Sequence, residues 1–402
     1  MFLKYRDGMS GSRRITVAVG VLMFVDASLY LAVLPLLPHY VHRFDLSTLG
    51  AGVVIAAYPV SVPVVSIGCI ALVPRLGARR ITLASAALMT VATVIFAWAP
   101  SALVLVLARF VQGLASGSIW TASMAWVTEN APPGHRGRES GIVTGMLSAG
   151  SVMGPAIGAL AGWAGQGMAF GLVAVVALLG VLLSYRAPAG RDALAAGRVW
   201  DGLVASARQP ATGAALAIAM VDLLAFGAVD LLVPLRLGAL GHSVAEIGIA
   251  LAIGAVLGAA VGPPAGRLVD RLGAPVVGSA AAACTVVIPL VLALEPSAGF
   301  QFGVLVVGGP LFAVVGAAMF PLSSAGADAA GVSHVTATGL MGAVWAGGFT
   351  IVPLLVGTLA QTASTQAAYV VILLLCLPAF IFLRRRVRVI PPLAAADAGS
   401  GA

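Results

Sequence analysis

Apolar runs of about 20 residues recur along the whole chain, and charged residues are almost confined to the short stretches between them. A helix of that length crosses a hydrocarbon core about 30 Å thick. Twelve spans are expected, roughly 15–38, 49–72, 80–98, 101–126, 141–160, 165–185, 211–236, 245–266, 275–294, 299–322, 336–359 and 367–383. The fold class is therefore an all-α membrane protein. Only 9% of the 402 residues are charged and the mean hydropathy is +1.06, whereas a soluble domain carries about 25% charged residues.

The net charge of +8 does not mark a nucleic-acid protein, because the basic residues sit in clusters between spans and so read as a topology signal. With the N-terminus cytoplasmic, nineteen Lys and Arg fall on that side and only Arg43 and Arg236 on the other, leaving Arg109 inside the fourth span. Both termini are expected in the cytoplasm, in the inner membrane of a bacterium. The basic residues before the first span resemble a secretion signal, but the run is long, holds Asp26 and ends in prolines, so it is expected to be retained. Cys69, Cys284 and Cys376 lie in or beside apolar runs without metal spacing and are expected to fill core space.

The longest polar connection, 186–210, divides the chain into a six-span half at 1–185 and another at 211–385, with a tail at 386–402. The halves repeat. Leu72-Val73-Pro74-Arg75-Leu76-Gly77-Ala78 matches Leu268-Val269-Asp270-Arg271-Leu272-Gly273-Ala274 at six of seven positions, an offset of 196. The same offset takes Asp26 to Asp222, Tyr30 to Phe226, Pro38 to Pro234, Ser47 to Ser243 and Gly52 to Gly248. Parallel six-span repeats are an architecture of secondary transporters, with the site between the halves.

Within the fifth span, Gly150, Gly154 and Gly158 are four apart and share one helix face free of side chains, with Pro155 beside it. Such a face admits another backbone closely, which is how helices associate in lipid. The expected neighbour is a helix of the other half.

These motifs resemble the major facilitator superfamily, in particular its twelve-span drug–proton antiporters, over residues 14–385. The loop after the second span resembles the family's gating motif through Leu72, Arg75, Gly77 and Arg79, although Ile70, Pro74 and Ala78 depart from it. The copy after the eighth span is closer, with Gly266, Leu268, Asp270, Arg271 and Gly273. Arg109-Phe110-Val111-Gln112-Gly113 resembles the family's intramembrane arginine motif. Gly141, Gly150, Gly154-Pro155 and Gly158-Ala159 resemble its antiporter motif, which marks exporters. A proline pair, Pro35 and Pro38, ends the first span as in drug exporters. The resemblance implies two six-helix halves with a central cavity lined by the first and seventh spans.

Charges inside a bilayer cost from about 3 to over 10 kcal/mol and mark functional sites. Asp26, Arg109, Asp222 and Asp230 qualify. Asp222, Phe226 and Asp230 form one acidic and aromatic stripe, with Asp26 and Tyr30 its shorter counterpart. A carboxylate in an apolar, alternately hydrated cavity gains affinity for protons, so an arriving cationic or polar substrate can expel one. Arg109 is expected to pair with a carboxylate or with backbone carbonyls, either holding the first and fourth spans together through Asp26 or handling protons directly. Trp120, Trp126 and Trp345 are candidates for lining a substrate pocket, though aromatic side chains in spans more often face lipid or neighbouring helices. The five histidines have no metal-ligand spacing, and no hydrolase triad or phosphate-binding loop occurs.

The expectation is a non-enzymatic, monomeric exporter of drug-like or amphipathic molecules by alternating access, needing no cofactor and driven by the proton gradient. Its partners are the small-molecule substrate, protons and the bilayer. The alternatives are a proton-driven exporter of one metabolite (a sugar, amino acid or siderophore) and a non-transporting receptor on the same fold.

Overall fold

In a computed structural model, described over residues 2–132, 135–189, 199–294, 297–332 and 334–390, helix follows helix. They are α1 (Phe2–Leu31), α2 (Leu37–Phe44), α3 (Thr48–Leu76), α4 (Ala78–Ala97), α5 (Ala102–Asn130), α6 (Arg136–Ala164), α7 (Gln166–Arg186), α8 (Val199–Arg208), α9 (Pro210–Ala239), α10 (Val244–Leu272), α11 (Ala274–Leu294), α12 (Ala298–Ala330), α13 (His334–Thr362) and α14 (Thr365–Val387). Twelve segments among the described residues are helical, long and apolar enough to cross a membrane. The first runs from Gly11 to Phe44, through a 3-10 turn at Leu34–Leu36 whose Pro35 separates α1 from α2. The short α8 lies in the polar connection between the halves, of which residues 190–198, with Arg191 and Arg198, lie outside the described residues, as does the tail from 391.

The helices sort into two compact units, Met1–Ala196 with Pro234–Ala252, and Gly197–Val233 with Ile253–Ala402. The 196-residue repeat is visible in the local geometry of each. Gly77 ends α3 at φ +85° and Gly273 ends α10 at φ +86°. Their amides bond back to Val73 O at 2.9 Å and Val269 O at 2.8 Å. Glycine enters this left-handed region without the Cβ clash other residues meet, so both loops turn directly from helix to helix. Ser47 caps α3 by accepting from Gly50 N at 3.1 Å. Ser243 caps α10 the same way from Glu246 N, while Glu246 accepts from Ser243 N, a reciprocal capping box. Ser101 and Ser297 stand at the N-caps of α5 and α12.

Helix contacts repeat too. A Cβ built on Gly113 would lie 1.9 Å from Tyr58 O, and one on Gly309, 196 residues later, 1.9 Å from Gly254 O. Backbone thus touches backbone between α3 and α5 and again between α10 and α12, the packing favoured where lipid gives no hydrophobic drive.

The glycine stripe of α6 packs on α1 and on the 3-10 turn that follows it, in its own unit, which corrects the expectation of a partner from the other half. A Cβ on Gly150 would meet Phe24 O at 2.2 Å, on Gly154 Leu31 Cβ at 2.8 Å, and on Gly158 Pro35 Cγ at 2.4 Å. The approach is close because α1 offers backbone there, and Ser28 Oγ seals it by donating to Gly150 O at 3.1 Å. Farther along, α6 meets α10, a helix of the later six spans, where a Cβ on Gly248 would lie 2.7 Å from Ala159 Cβ. Gly141 and Gly145 face open space.

Candidate functional site

In the first unit a polar cluster is assembled from α1, α3, α4 and α5. Asp26, 5% exposed, accepts from the Tyr58 hydroxyl at 2.5 Å and from the Trp120 indole N–H at 3.0 Å, one donor for each oxygen. Tyr58 is placed by the Gly113 contact and by Ser61, whose hydroxyl lies 2.9 Å from Tyr58 O and 3.0 Å from Phe110 O. The ring of Tyr30 leans on that of Tyr58, centroids 5.6 Å apart.

Arg109, 1% exposed, takes the carbonyl route of the two expected. It donates to Leu29 O at 3.0 Å and to Gln112 Oε1 at 3.3 Å, and its guanidinium lies 4.4 Å from the centre of the Tyr58 ring. Gln112 in turn donates to Thr93 Oγ1 at 3.2 Å. Arg109 therefore joins α5 to α1 through a main-chain carbonyl rather than through Asp26. The carboxylate is already served by Tyr58 and Trp120, and the cation is stabilised by an aromatic face and oriented dipoles.

The second unit keeps the carboxylate and loses the cluster. Asp222, 1% exposed, has no hydrogen-bond partner for either oxygen. The repeat explains why. The offset of 196 takes Tyr58 to Gly254, Trp120 to Gly316, Arg109 to Leu305, Gln112 to Gly308 and Thr93 to Pro289. Every polar side chain that serves Asp26 directly or through Arg109 is replaced by one that offers no hydrogen bond.

Aromatic rings take the vacated space. Phe226, one turn beyond Asp222, lies 2.8 Å from a Cβ built on Gly308. From it a chain of rings runs through Phe312 (6.2 Å), Trp345 (5.2 Å) and Phe349 (5.4 Å), drawn from α9, α12 and α13. The Trp345 indole N–H is buried without a partner. Asp230, a further turn beyond Phe226 on α9, is half-buried. Asp222, Phe226 and Asp230 thus share a helix face, with the ring system at its centre.

The other residues singled out from the sequence have structural placements. Gly150, Gly154, Pro155 and Gly158 are buried in α6. Gly77 and Gly273 make the turns described above, while Arg75, Asp270 and Arg271 are exposed and enter no ion pair among the described residues. Arg79 binds the end of α7, donating to Ser184 O and Tyr185 O. The side chain of Pro74 lies outside the described residues. Trp126 is fully buried and donates to Ala189 O at 3.0 Å. Cys69 and Cys376 are buried, but Cys284 is exposed, against expectation. Tyr58, Ser61 and Thr93 had no motif to announce them. A tyrosine in the middle of an apolar span was the one available signal for Tyr58.

A family model described as Major Facilitator Superfamily matches residues 16–335 and 215–401. Among curated proteins, the MFS-type transporter ppzB of Metarhizium rileyi is 30% identical over 174 residues, 42% of this chain and 35% of that protein. The quinolone resistance protein NorA of Staphylococcus aureus is 24% identical over 152 residues, 38% of this chain and 39% of NorA. The chain thus spans little more than a third of these relatives' length. Two crystal structures of a bacterial homologue of the human lysosomal transporter Spinster, both inward-facing, one unoccupied and one occupied, superpose with TM-scores of 0.73 and 0.75. They share 15% and 16% identity and cover 94% of this chain and 97% of theirs, a likeness of fold.

Proposed function

The chain belongs to the Major Facilitator Superfamily, and from that premise we propose that it is a proton-coupled exporter of amphipathic, drug-like molecules bearing an aromatic group and a positive charge. Members of this family are transporters, not enzymes, and this one is a multi-pass membrane protein.

Asp222 carries the proposal. A buried carboxylate with neither a donor nor a cation beside it is costly when ionised. It is accommodated with a proton on it or with a cationic ligand against it, and those two occupants exclude one another. That exclusion is the coupling: a cation arriving at Asp222 expels the proton, and a proton arriving from the other side of the membrane releases the cation. The rings of Phe226, Phe312, Trp345 and Phe349 add a surface for an aromatic or cationic group. They favour an amphipathic substrate over a sugar. Asp230 is a second acidic contact on the same helix face. Asp26, held by Tyr58 and Trp120, is the counterpart carboxylate in the first unit. The antiporter-like glycine motif and the similarity to NorA support the outward direction. The protein acts as a monomer with the proton gradient as its only energy source. Its termini lie in the cytoplasm, as the distribution of basic residues favours.

The test is transport in proteoliposomes carrying the purified full chain and an imposed pH gradient, with ethidium as fluorescent probe. Uptake into acid-loaded vesicles that collapses with a protonophore is the expected result. Uptake independent of the gradient would overturn the coupling, and no movement of any aromatic cation would overturn the substrate class.

A further inference from the structure

The ends of the spans opposite the chain termini carry a second built feature, wholly within the first unit and unrelated to the buried carboxylates. A cavity of about 570 Å³ is lined by residues of α2, α4, α6, α7 and α10, among them His39, Arg43, Trp98, Trp163, Gln166 and Gly167. No acidic residue is among those lining it. Its one charged side chain, Arg43, lies one turn from the imidazole of His39 on α2.

Three further observations define what the cavity fits. Its floor includes the start of α7, whose N-cap Gly165 (φ +89°) supplies no side-chain cap, so the first N–H groups of a 21-residue helix are offered to a ligand. Gln166 is 7% exposed and donates to Phe96 O at 2.6 Å, yet its Oε1 is buried without a partner. An amide oxygen in that position calls for a donor. Finally, Trp98 and Trp163 are 62% and 85% exposed. Trp98 lies across α7, where a Cβ on Gly167 would sit 2.8 Å from its Nε1, and the neighbouring Met168 and Leu172 are exposed apolar residues of the same span. Exposed tryptophans at the ends of membrane-crossing helices occupy the headgroup level of a bilayer.

We propose that this cavity binds the headgroup of a membrane glycerophospholipid whose terminal group is a hydrogen-bond donor, an ethanolamine or a glycerol. The phosphate sits against Arg43, His39 and the first amides of α7, as charge and helix-end geometry favour. The side chain of Gln166, which lines the cavity, turns its closed-off Oε1 toward the headgroup, and the ammonium or hydroxyl at the tip donates to it. Trp98 and Trp163 flank the site where the acyl chains leave it. A choline headgroup, which has no N–H or O–H, satisfies the phosphate but not Gln166.

The experiment is native mass spectrometry of the purified full chain in detergent, titrated with dioleoyl phosphatidylethanolamine, phosphatidylglycerol or phosphatidylcholine. Glycerophosphoethanolamine and inorganic phosphate serve as soluble competitors. The first two lipids should bind about tenfold more tightly than the third, the effect of one hydrogen bond to a buried group. The His39→Gln/Arg43→Gln double variant should lose about tenfold for all three, and Gln166→Leu should erase the ranking among them. Should the double variant unfold, Trp163→Ala, at an exposed position, should still weaken lipid retention. Equal affinity for all three lipids in the unaltered protein would overturn the assignment of Gln166. Retention unchanged in the double variant would overturn the site. Binding of the soluble compounds as tightly as the lipids would make it a site for a free anion and overturn the lipid.

Discussion

Tyr58 and Gly254 hold the same place in the two repeats, each with its carbonyl against a glycine of the next helix but one, and only the first brings a donor to a buried carboxylate. Removing that donor tests what it does. Tyr58→Phe keeps the ring over which Arg109 lies and removes the hydroxyl donor to Asp26, while Trp120 and Ser116 remain beside the carboxylate. A hydrogen bond to a charged group contributes about 1.5–3 kcal/mol. Thermal unfolding of the detergent-solubilised variant should therefore begin several degrees lower, and transport should fall about tenfold. In the Asp26→Asn background the same substitution should cost much less, because the two side chains act as one unit. Additive losses would separate Tyr58 from Asp26.

Asp222 predicts the opposite pattern of stability and activity. Neither of its oxygens has a protein partner, so replacing it with an apolar residue of similar size removes an unsatisfied polar group rather than breaking a bond. Asp222→Leu should unfold at the same temperature as the parent or above it while losing gradient-driven transport entirely. Binding of an aromatic cation to this variant should no longer weaken as pH falls, because the site at which proton and ligand compete is gone. A destabilised but pH-responsive Asp222→Leu protein would place the coupling elsewhere.

Arg109 is held by Leu29 O, Gln112 and the faces of Tyr58 and Phe96, the last at 6.0 Å. A lysine carries the charge but cannot lie flat on a ring and donate sideways at the same time. Arg109→Lys should therefore behave nearly as badly as Arg109→Gln, with loss of transport and a fall in stability of about 2–4 kcal/mol for an imperfectly paired buried cation. Measurement of both by thermal unfolding and vesicle transport decides it. Full activity in the lysine variant would reduce Arg109 to a point charge.

The spans, the halves and the turn glycines were legible in the sequence because each rests on something local. Hydropathy follows composition, and Gly77 and Gly273 sit in a heptad repeated at one offset. The partners of Asp26 were not legible, since Tyr58 and Trp120 lie 32 and 94 residues away and reach it through the rotation of two other helices. Helical periodicity fixes that rotation only loosely. The isolation of Asp222 was present in the sequence all along, as the glycines standing at 254 and 316. It acquires meaning only once Tyr58 and Trp120 are seen to be donors. The partner of the α6 stripe was misassigned because a bare helix face states how near a neighbour comes and not which neighbour it is.

That stripe yields a sharper test, because the second unit solves the same packing problem with the residues exchanged. In the first unit Gly154 of α6 lies under Leu31 of α1; in the second, Val352 of α13 lies over Gly227 of α9, with a Cβ built on the glycine 2.8 Å from the opposing side chain in each case. Gly227 is 196 residues after Leu31, and Val352 is 198 after Gly154. The void has moved to the other helix while the approach is kept. Gly154→Val alone should drive a branched side chain into Leu31 and cost about 1–3 kcal/mol or more, with loss of transport and of monodisperse protein. Leu31→Gly alone should leave a cavity and cost a few kcal/mol. Gly154→Val with Leu31→Gly rebuilds the arrangement of the second unit and should recover at least about 1 kcal/mol over the sum of the single changes. Recovery is limited by Ser28 O, which a Cβ at position 154 meets at 3.0 Å, so that α6 must shift by a few tenths of an ångström. A double variant no better than that sum would mean that backbone contact with Ser28, not the Leu31 side chain, demands glycine at 154.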